Sequence, residues 1–188
     1  MGKLETVDWS TLPRPEDDGA CDHLNGAEIP NVDLTSTNGS AVQLAELSGT
    51  AVFYVYPMTG RPDRALPDGW NDIPGARGCT PQSCSFRDHY AELAALGVEH
   101  VFGISTQTSG DQLEAAERLH LPFALLSDAD LKLARALDLP TFQVDGKTLI
   151  NRLTLIVKDG IISNVFYPVF PPDRNAQDVI DWLAETRS

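Results

Sequence analysis

Apolar positions along this chain follow two rhythms. Ala51, Val52, Phe53, Tyr54, Val55 and Tyr56 form an almost unbroken apolar run ended by Pro57, the pattern of a strand buried on both faces. Shorter apolar runs at 101–104, 123–126 and 153–157 predict further strands. The last is followed across Lys158, Asp159 and Gly160 by 161–166, which predicts an antiparallel hairpin. Between the strands the spacing changes to three and four residues. Phe86, Tyr90, Leu93 and Leu96, stopped by Gly97, predict one helix of about four turns beginning at Cys79 or Thr80. Residues 112–119, 129–137 (stopped before Pro140) and 179–184 predict three more. Strands alternating with helices indicate an α/β fold with parallel strands. Ahead of this core, Val32, Asp33 and Leu34 alternate with Val42, Gln43 and Leu44 across Asn38-Gly39, predicting a small hairpin.

Two stretches lack either rhythm. Residues 1–28 read as an irregular, peripheral N-terminal segment rich in Pro and Asp, leaving 29–188 as one domain. Residues 58–78 read as an inserted loop, too long for a plain connector and therefore a functional segment or lid. Trp70 and Ile73 are the side chains expected to pin it. There is no internal repeat.

Composition narrows the function. The 188 residues are 42% hydrophobic, enough for a single sizeable core, and carry a formal net charge of -13. That charge repels nucleic-acid phosphates and anionic lipid, so neither is expected as a partner, and small neutral substrates fit better. No apolar run reaches the roughly 20 residues of a membrane span. Three cysteines do not make a disulfide framework, and the start has no apolar signal region. The expected compartment is the reducing cytoplasm. Residues 1–6 satisfy the loose N-myristoylation pattern and Asn38-Gly39-Ser40 the glycosylation pattern, both short and common.

The informative chemistry is Gly78-Cys79-Thr80-Pro81-Gln82-Ser83-Cys84. Pro81 suits a first helical turn, where the amide it lacks has no intrahelical partner. At that helix start, free amides and aligned peptide dipoles favour an anion and so stabilise a Cys79 thiolate, the nucleophilic form. If Cys84 is on the same helix, it lies roughly 140° round and ~7.5 Å along from Cys79. A disulfide needs Cα atoms within roughly 7 Å, so joining the two requires the first turns to unwind. The pair therefore reads as a switch, although two small residues filling a helix face is the blander account.

These residues, with Tyr56-Pro57, Ser85-Phe86-Arg87-Asp88, Gly103-Ile104-Ser105-Thr106, Leu125-Leu126-Ser127-Asp128 and Arg152-Leu153-Thr154-Leu155-Ile156, resemble the peroxiredoxins. The nearest branch is the bacterioferritin-comigratory, or Q-type. The resemblance implies a thioredoxin-like fold, with a central mixed sheet flanked by helices and an N-terminal hairpin extension. It implies reduction of hydrogen peroxide or organic hydroperoxides without metal or organic cofactor. Cys79 matches the peroxidatic cysteine, oxidised to a sulfenic acid, and Cys84 the resolving cysteine that condenses with it to an intramolecular disulfide. A thioredoxin or glutaredoxin-type donor is the implied reductant. Arg152 matches the active-site arginine. A monomer or a homodimer is the expected state.

The chain departs from the family before Cys79, where Asp72 and Ala76 stand at the usual proline and threonine positions. Pro57 and Thr59 are the candidate substitutes, folded back beside Cys79 by 60–77, and Pro74 is another candidate for the shielding role. Cys21 reads as a buried or bystander thiol, with a second resolving role as the lesser alternative. Three rival functions are weighed against the peroxidase. A disulfide reductase or isomerase typically uses two residues between its cysteines, whereas four intervene here. A metal site would need His89 beside Cys79 and Cys84, on a different helix face. A non-enzymatic redox sensor or binding module, switching a partner surface through the long loop, is the remaining alternative.

Overall fold

The computed structural model describes residues 6–187, so all but Thr6 of the N-myristoylation pattern lies outside it. In chain order the elements are β1 (Asp33–Ser36), β2 (Ala41–Gln43), β3 (Thr50–Val55), α1 (Cys79–Asp88), α2 (Tyr90–Ala95), β4 (Val98–Ser105), α3 (Ser109–Arg118), β5 (Leu125–Ser127), α4 (Lys132–Ala136), β6 (Thr141–Val144), β7 (Lys147–Ile150), β8 (Leu153–Lys158), β9 (Ile161–Phe166) and α5 (Asn175–Thr186). Seven strands form a mixed sheet in the order β2-β1-β5-β4-β3-β8-β9. The predicted parallel strands are β3, β4 and β5, while β8 and β9 continue the sheet antiparallel. The predicted N-terminal hairpin joins at the far edge, where β1 pairs antiparallel with β5.

Alternation along β3 explains why its sequence is apolar throughout. Ala51, Phe53 and Val55 enter one core with Leu153, Leu155, Leu133 and Leu137. Val52, Tyr54 and Tyr56 enter the other with Phe86, Leu93, Ala115, Val179 and Leu183, beneath α1, α2, α3 and α5. Phe86 is fully buried and stacks on Tyr54 at 4.5 Å between ring centroids. Burial of that one ring contributes roughly 1.5–3 kcal/mol, and it fixes α1 on β3.

Several elements differ from expectation. The single helix predicted from 79 to 97 is two, broken at His89, whose φ of -100° and ψ of 8° leave the helical region. Its ring Nδ1 bonds the Ser85 carbonyl at 2.8 Å, so the side chain joins the capping of the first helix. The helix predicted at 129–137 starts later, at Lys132, because the Asp128 carboxylate accepts from the amides of Leu133 and Ala134 and Leu131 takes a φ of 58°. The closing helix contains 179–184 as expected and runs from Asn175 to Thr186. The β6–β7 hairpin was not foreseen, although its turn, Asp145-Gly146, has positive φ at both residues and carries the Asp-Gly signal.

That hairpin meets residues 58–78. Trp70, Ala76 and Leu149 form a buried cluster with Met58, Ile73 and Phe142 against it. Trp70 and Ile73 therefore act as the pins the sequence suggests, and the segment is folded around one short 3-10 turn at Trp70–Asp72. Arg61 and Arg64 pair with Asp111 of α3, and Arg118 donates to the Gly60 carbonyl.

The N-terminal segment is irregular but is built into the core, in contrast to the peripheral position expected. Cys21 and Leu24 are buried in the first core, and the ring Nε2 of His23 bonds the Leu137 carbonyl at 2.7 Å. Trp9 donates to Asp173 and lies edge-on to Phe170.

Candidate active site

Cys79 is the first residue of α1. Gly78 precedes it with φ 116°, and a Cβ there would stand 2.6 Å from Pro172 Cγ and 2.9 Å from Trp9. Both the backbone angle and the crowding demand glycine. The first intrahelical hydrogen bond runs from Gln82 N to Gly78 O at 3.0 Å, so the Cys79 and Thr80 amides precede the ladder.

Arg152 opens β8 from the preceding residue, and its guanidinium is buried against the sulfur. Its Nη2 donates to Cys79 Sγ at 3.2 Å and to the carbonyls of Gly75, Ala76 and Arg77 at 3.1 to 3.3 Å. Three carbonyls solvate the buried cation while its charge reaches the sulfur. Nη1 donates to Gln82 Oε1. The Gln82 amide donates to Asn175 Oδ1 at 3.0 Å, which also accepts from the Thr154 hydroxyl at 2.6 Å. Gln82, Asn175 and Thr154 are all buried. The Nε of Arg152 is a buried donor without a hydrogen-bond partner among the described residues.

Two clefts are lined by this centre, one by Arg152 and the other by Cys79. One, of about 240 Å³, is lined by Arg152, Pro57, Pro74, Gly75 and Tyr167. The other, of about 220 Å³, is lined by Cys79, Met58, Gly60, Leu66, Trp70 and Pro81. Pro57 and Pro74 thus flank Arg152. Thr59 does not supply its hydroxyl to the sulfur, whose hydrogen bonds run to Arg152 and the Ala76 carbonyl. Gln107 holds it instead. The Gln107 Oε1 accepts from both the amide and the hydroxyl of Thr59, and its Nε2 donates to the Thr59 carbonyl. Ala76, at the usual threonine position, keeps its backbone on Arg152 while its methyl sits in the cluster with Trp70.

Cys84 is buried on the same helix, and both thiols are free. Burial pushes the Cys84 thiol up from its ordinary value, with Arg87 opposing. Cys21 is also free and buried, and its thiol is pushed up to about 12 by burial first and by Asp18, Asp17 and Asp22 next. Among the described residues no three His, Cys, Asp or Glu side chains are grouped to hold a metal, and no helix is long and apolar enough to cross a membrane.

Gln82, Asn175 and Gln107 were not read from the sequence. Gln82 lies inside the cysteine motif, so its place one turn after Cys79 was available. Asn175 had no local signal, being 93 positions from its partner Gln82.

Residues 24–180 match the Redoxin family. Peroxiredoxin Q of Oryza sativa subsp. japonica, a chloroplastic protein, is 31% identical over 160 residues. Those residues are 84% of this chain, which spans 65% of the rice protein's length. The chloroplastic peroxiredoxin Q of Sedum lineare is likewise 31% identical, covering 84% of this chain and 76% of that protein. The crystal structure of peroxidoxin BcpB from Mycobacterium tuberculosis aligns with a TM-score of 0.72 at 26% identity, over 88% of this chain and 100% of that one. The architecture is accordingly the thioredoxin-type fold. With the fold, the cysteine motif and these matches in agreement, the chain belongs to the Redoxin family, within its peroxiredoxin Q branch.

Proposed function

We propose that this chain is a thiol peroxidase that reduces hydrogen peroxide or organic hydroperoxides through Cys79. The observation that carries the reading is the Arg152 guanidinium 3.2 Å from Cys79 Sγ at the start of α1. The guanidinium and the helix start both present positive charge to the sulfur that attacks. The thiolate attacks the terminal peroxide oxygen. An S–O bond forms, the O–O bond breaks, and the departing alkoxide or hydroxide takes a proton to leave as alcohol or water. Charge grows on that leaving oxygen, and the unpartnered Nε–H of Arg152 is the donor suited to it.

Cys84 then resolves the sulfenic acid. Both cysteines belong to α1, so ~7.5 Å of rise separates them until the first turns unwind. The Cys84 sulfur attacks the sulfenic sulfur, water leaves, and a disulfide remains. Two electrons from an external dithiol, of thioredoxin or glutaredoxin type, return it to the thiols. Pro57 shields the cleft beside Arg152, and Thr59 braces the chain there through Gln107. The three free thiols among the described residues suit a reducing compartment, and a cytoplasmic location goes with this reading.

A second reading is favoured by Thr59 itself. With its hydroxyl spent on Gln107, peroxide loses one orienting donor, and a slow redox sensor becomes the competing account. Steady-state peroxide consumption coupled to thioredoxin and its reductase separates them. Sustained turnover that vanishes in Cys79→Ser supports the enzyme, and single, slow oxidation without turnover supports the sensor.

A further inference from the structure

We propose that Asn175, the first residue of α5, is a positioning residue for the chemistry at Cys79. It touches neither the sulfur nor Arg152, and it acts through the amide of Gln82. The inference rests on Cys79 being the reacting thiol.

The direction of the hydrogen bonds makes the case. Arg152 can only donate, so the Gln82 atom facing its Nη1 must be the carbonyl oxygen. The Gln82 NH2 then points the other way and needs an acceptor. Asn175 Oδ1 supplies it at 3.0 Å. The same oxygen accepts from the Thr154 hydroxyl at 2.6 Å, which fixes the Asn175 amide against rotation. An Asn175 turned end for end would present NH2 to NH2. The buried run from Thr154 through Asn175 and Gln82 to Arg152 therefore has one consistent orientation. It holds the guanidinium where its other nitrogen meets Cys79 Sγ.

Burial makes this run exacting, because water cannot replace a lost partner. Gln82 and Thr154 are 0% exposed and Asn175 is 1% exposed. The start of α5 is also wedged against the start of α1, since the turn Pro172–Arg174 brings Pro172 onto Gly78. Asn175 therefore senses the first turn of α1, the turn that must unwind for Cys79 to reach Cys84. In that movement Gln82 leaves Asn175 and releases Arg152 together with the helix.

Rapid mixing of reduced protein with hydrogen peroxide, followed by acid quench and peptide mass of Cys79, measures the first oxidation directly. Asn175→Ala should slow it about tenfold or more, the scale on which a displaced catalytic geometry acts. Asn175→Asp keeps an acceptor for Gln82 and Thr154 and should recover most of the rate. A purely structural role predicts the reverse order, because a buried carboxylate perturbs folding more than alanine does. Thr154→Val, close in shape and still a good strand residue, should slow the step about threefold by the same logic and carries the test if Asn175→Ala does not fold. An Asn175→Ala protein as fast as the parent overturns the proposal, and so does Asn175→Asp at or below the alanine rate. A parent protein in which Cys79 fails to react overturns it differently, by removing the proposed function on which it rests.

Discussion

Arg152 Nη2 lies 3.2 Å from Cys79 Sγ, and the same nitrogen is shared with the carbonyls of Gly75, Ala76 and Arg77. The segment leading into α1 is thus wrapped around the cation that meets the sulfur. Arg152→Leu should lower the rate of Cys79 oxidation by about 10²–10³, the range for loss of one preorganised donor. Arg152→Lys should recover little of it, because an ammonium cannot serve Gln82, the carbonyls and the sulfur from one planar fork. Rapid-mixing oxidation kinetics check both variants.

Cys84→Ser should leave that first oxidation unchanged and abolish the Cys79–Cys84 disulfide. The sulfenic acid would then persist and advance to sulfinic acid under excess peroxide. Mass spectrometry of the Cys79 peptide, with and without a sulfenic-acid trap, reads the difference.

The cleft that Cys79 lines takes much of its apolar surface from residues 58–78, with Leu66 at its mouth and 42% exposed. Leu66→Asp should lower the rate with a bulky organic hydroperoxide about tenfold and leave hydrogen peroxide within about twofold. Equal loss with both substrates would point instead to a general disturbance of the segment.

Cys21 provides a pH prediction. Its thiol has an ordinary value of 9.0 and about 12 when folded, so between those limits the folded state holds a proton that the unfolded state releases. The stability that burial of Cys21 as a neutral thiol contributes is therefore fully present below pH 9 and is lost as pH rises toward about 12. Cys21→Ala should reduce the alkaline loss in denaturant titrations across the window, leaving the part that Tyr167 and Cys84, shifted the same way by burial, contribute. In the native protein at neutral pH, Cys21 should resist alkylating reagents.

How legible the fold was depended on how local its causes are. The apolar run of β3 and the apolar spacing around Phe86 are properties of single segments; β3 stands where the sequence puts it, and α1 begins at Cys79 as expected. The break at His89 comes from a side chain reaching its own carbonyl, which the apolar period does not register. The irregular N-terminal segment gave no sign that Leu24 would be fully buried, because that depends on sequence-distant elements such as α4. At the site, Cys79 and Cys84 were visible from the helix start. Arg152 came from the family pattern, since by itself it reads as a strand-end cation. Thr59 was expected at the sulfur and is held by Gln107, a partner 48 positions away.

The most direct test of the central claim is to treat reduced protein with one equivalent of hydrogen peroxide, quench within about a second, and map the thiols by peptide mass. Disulfide exchange with a dithiol then follows on its own timescale. The account predicts a Cys79–Cys84 disulfide formed within that time, reversed by thioredoxin, with Cys21 still reduced. Thiols that remain reduced, or a disulfide that involves Cys21, would contradict it.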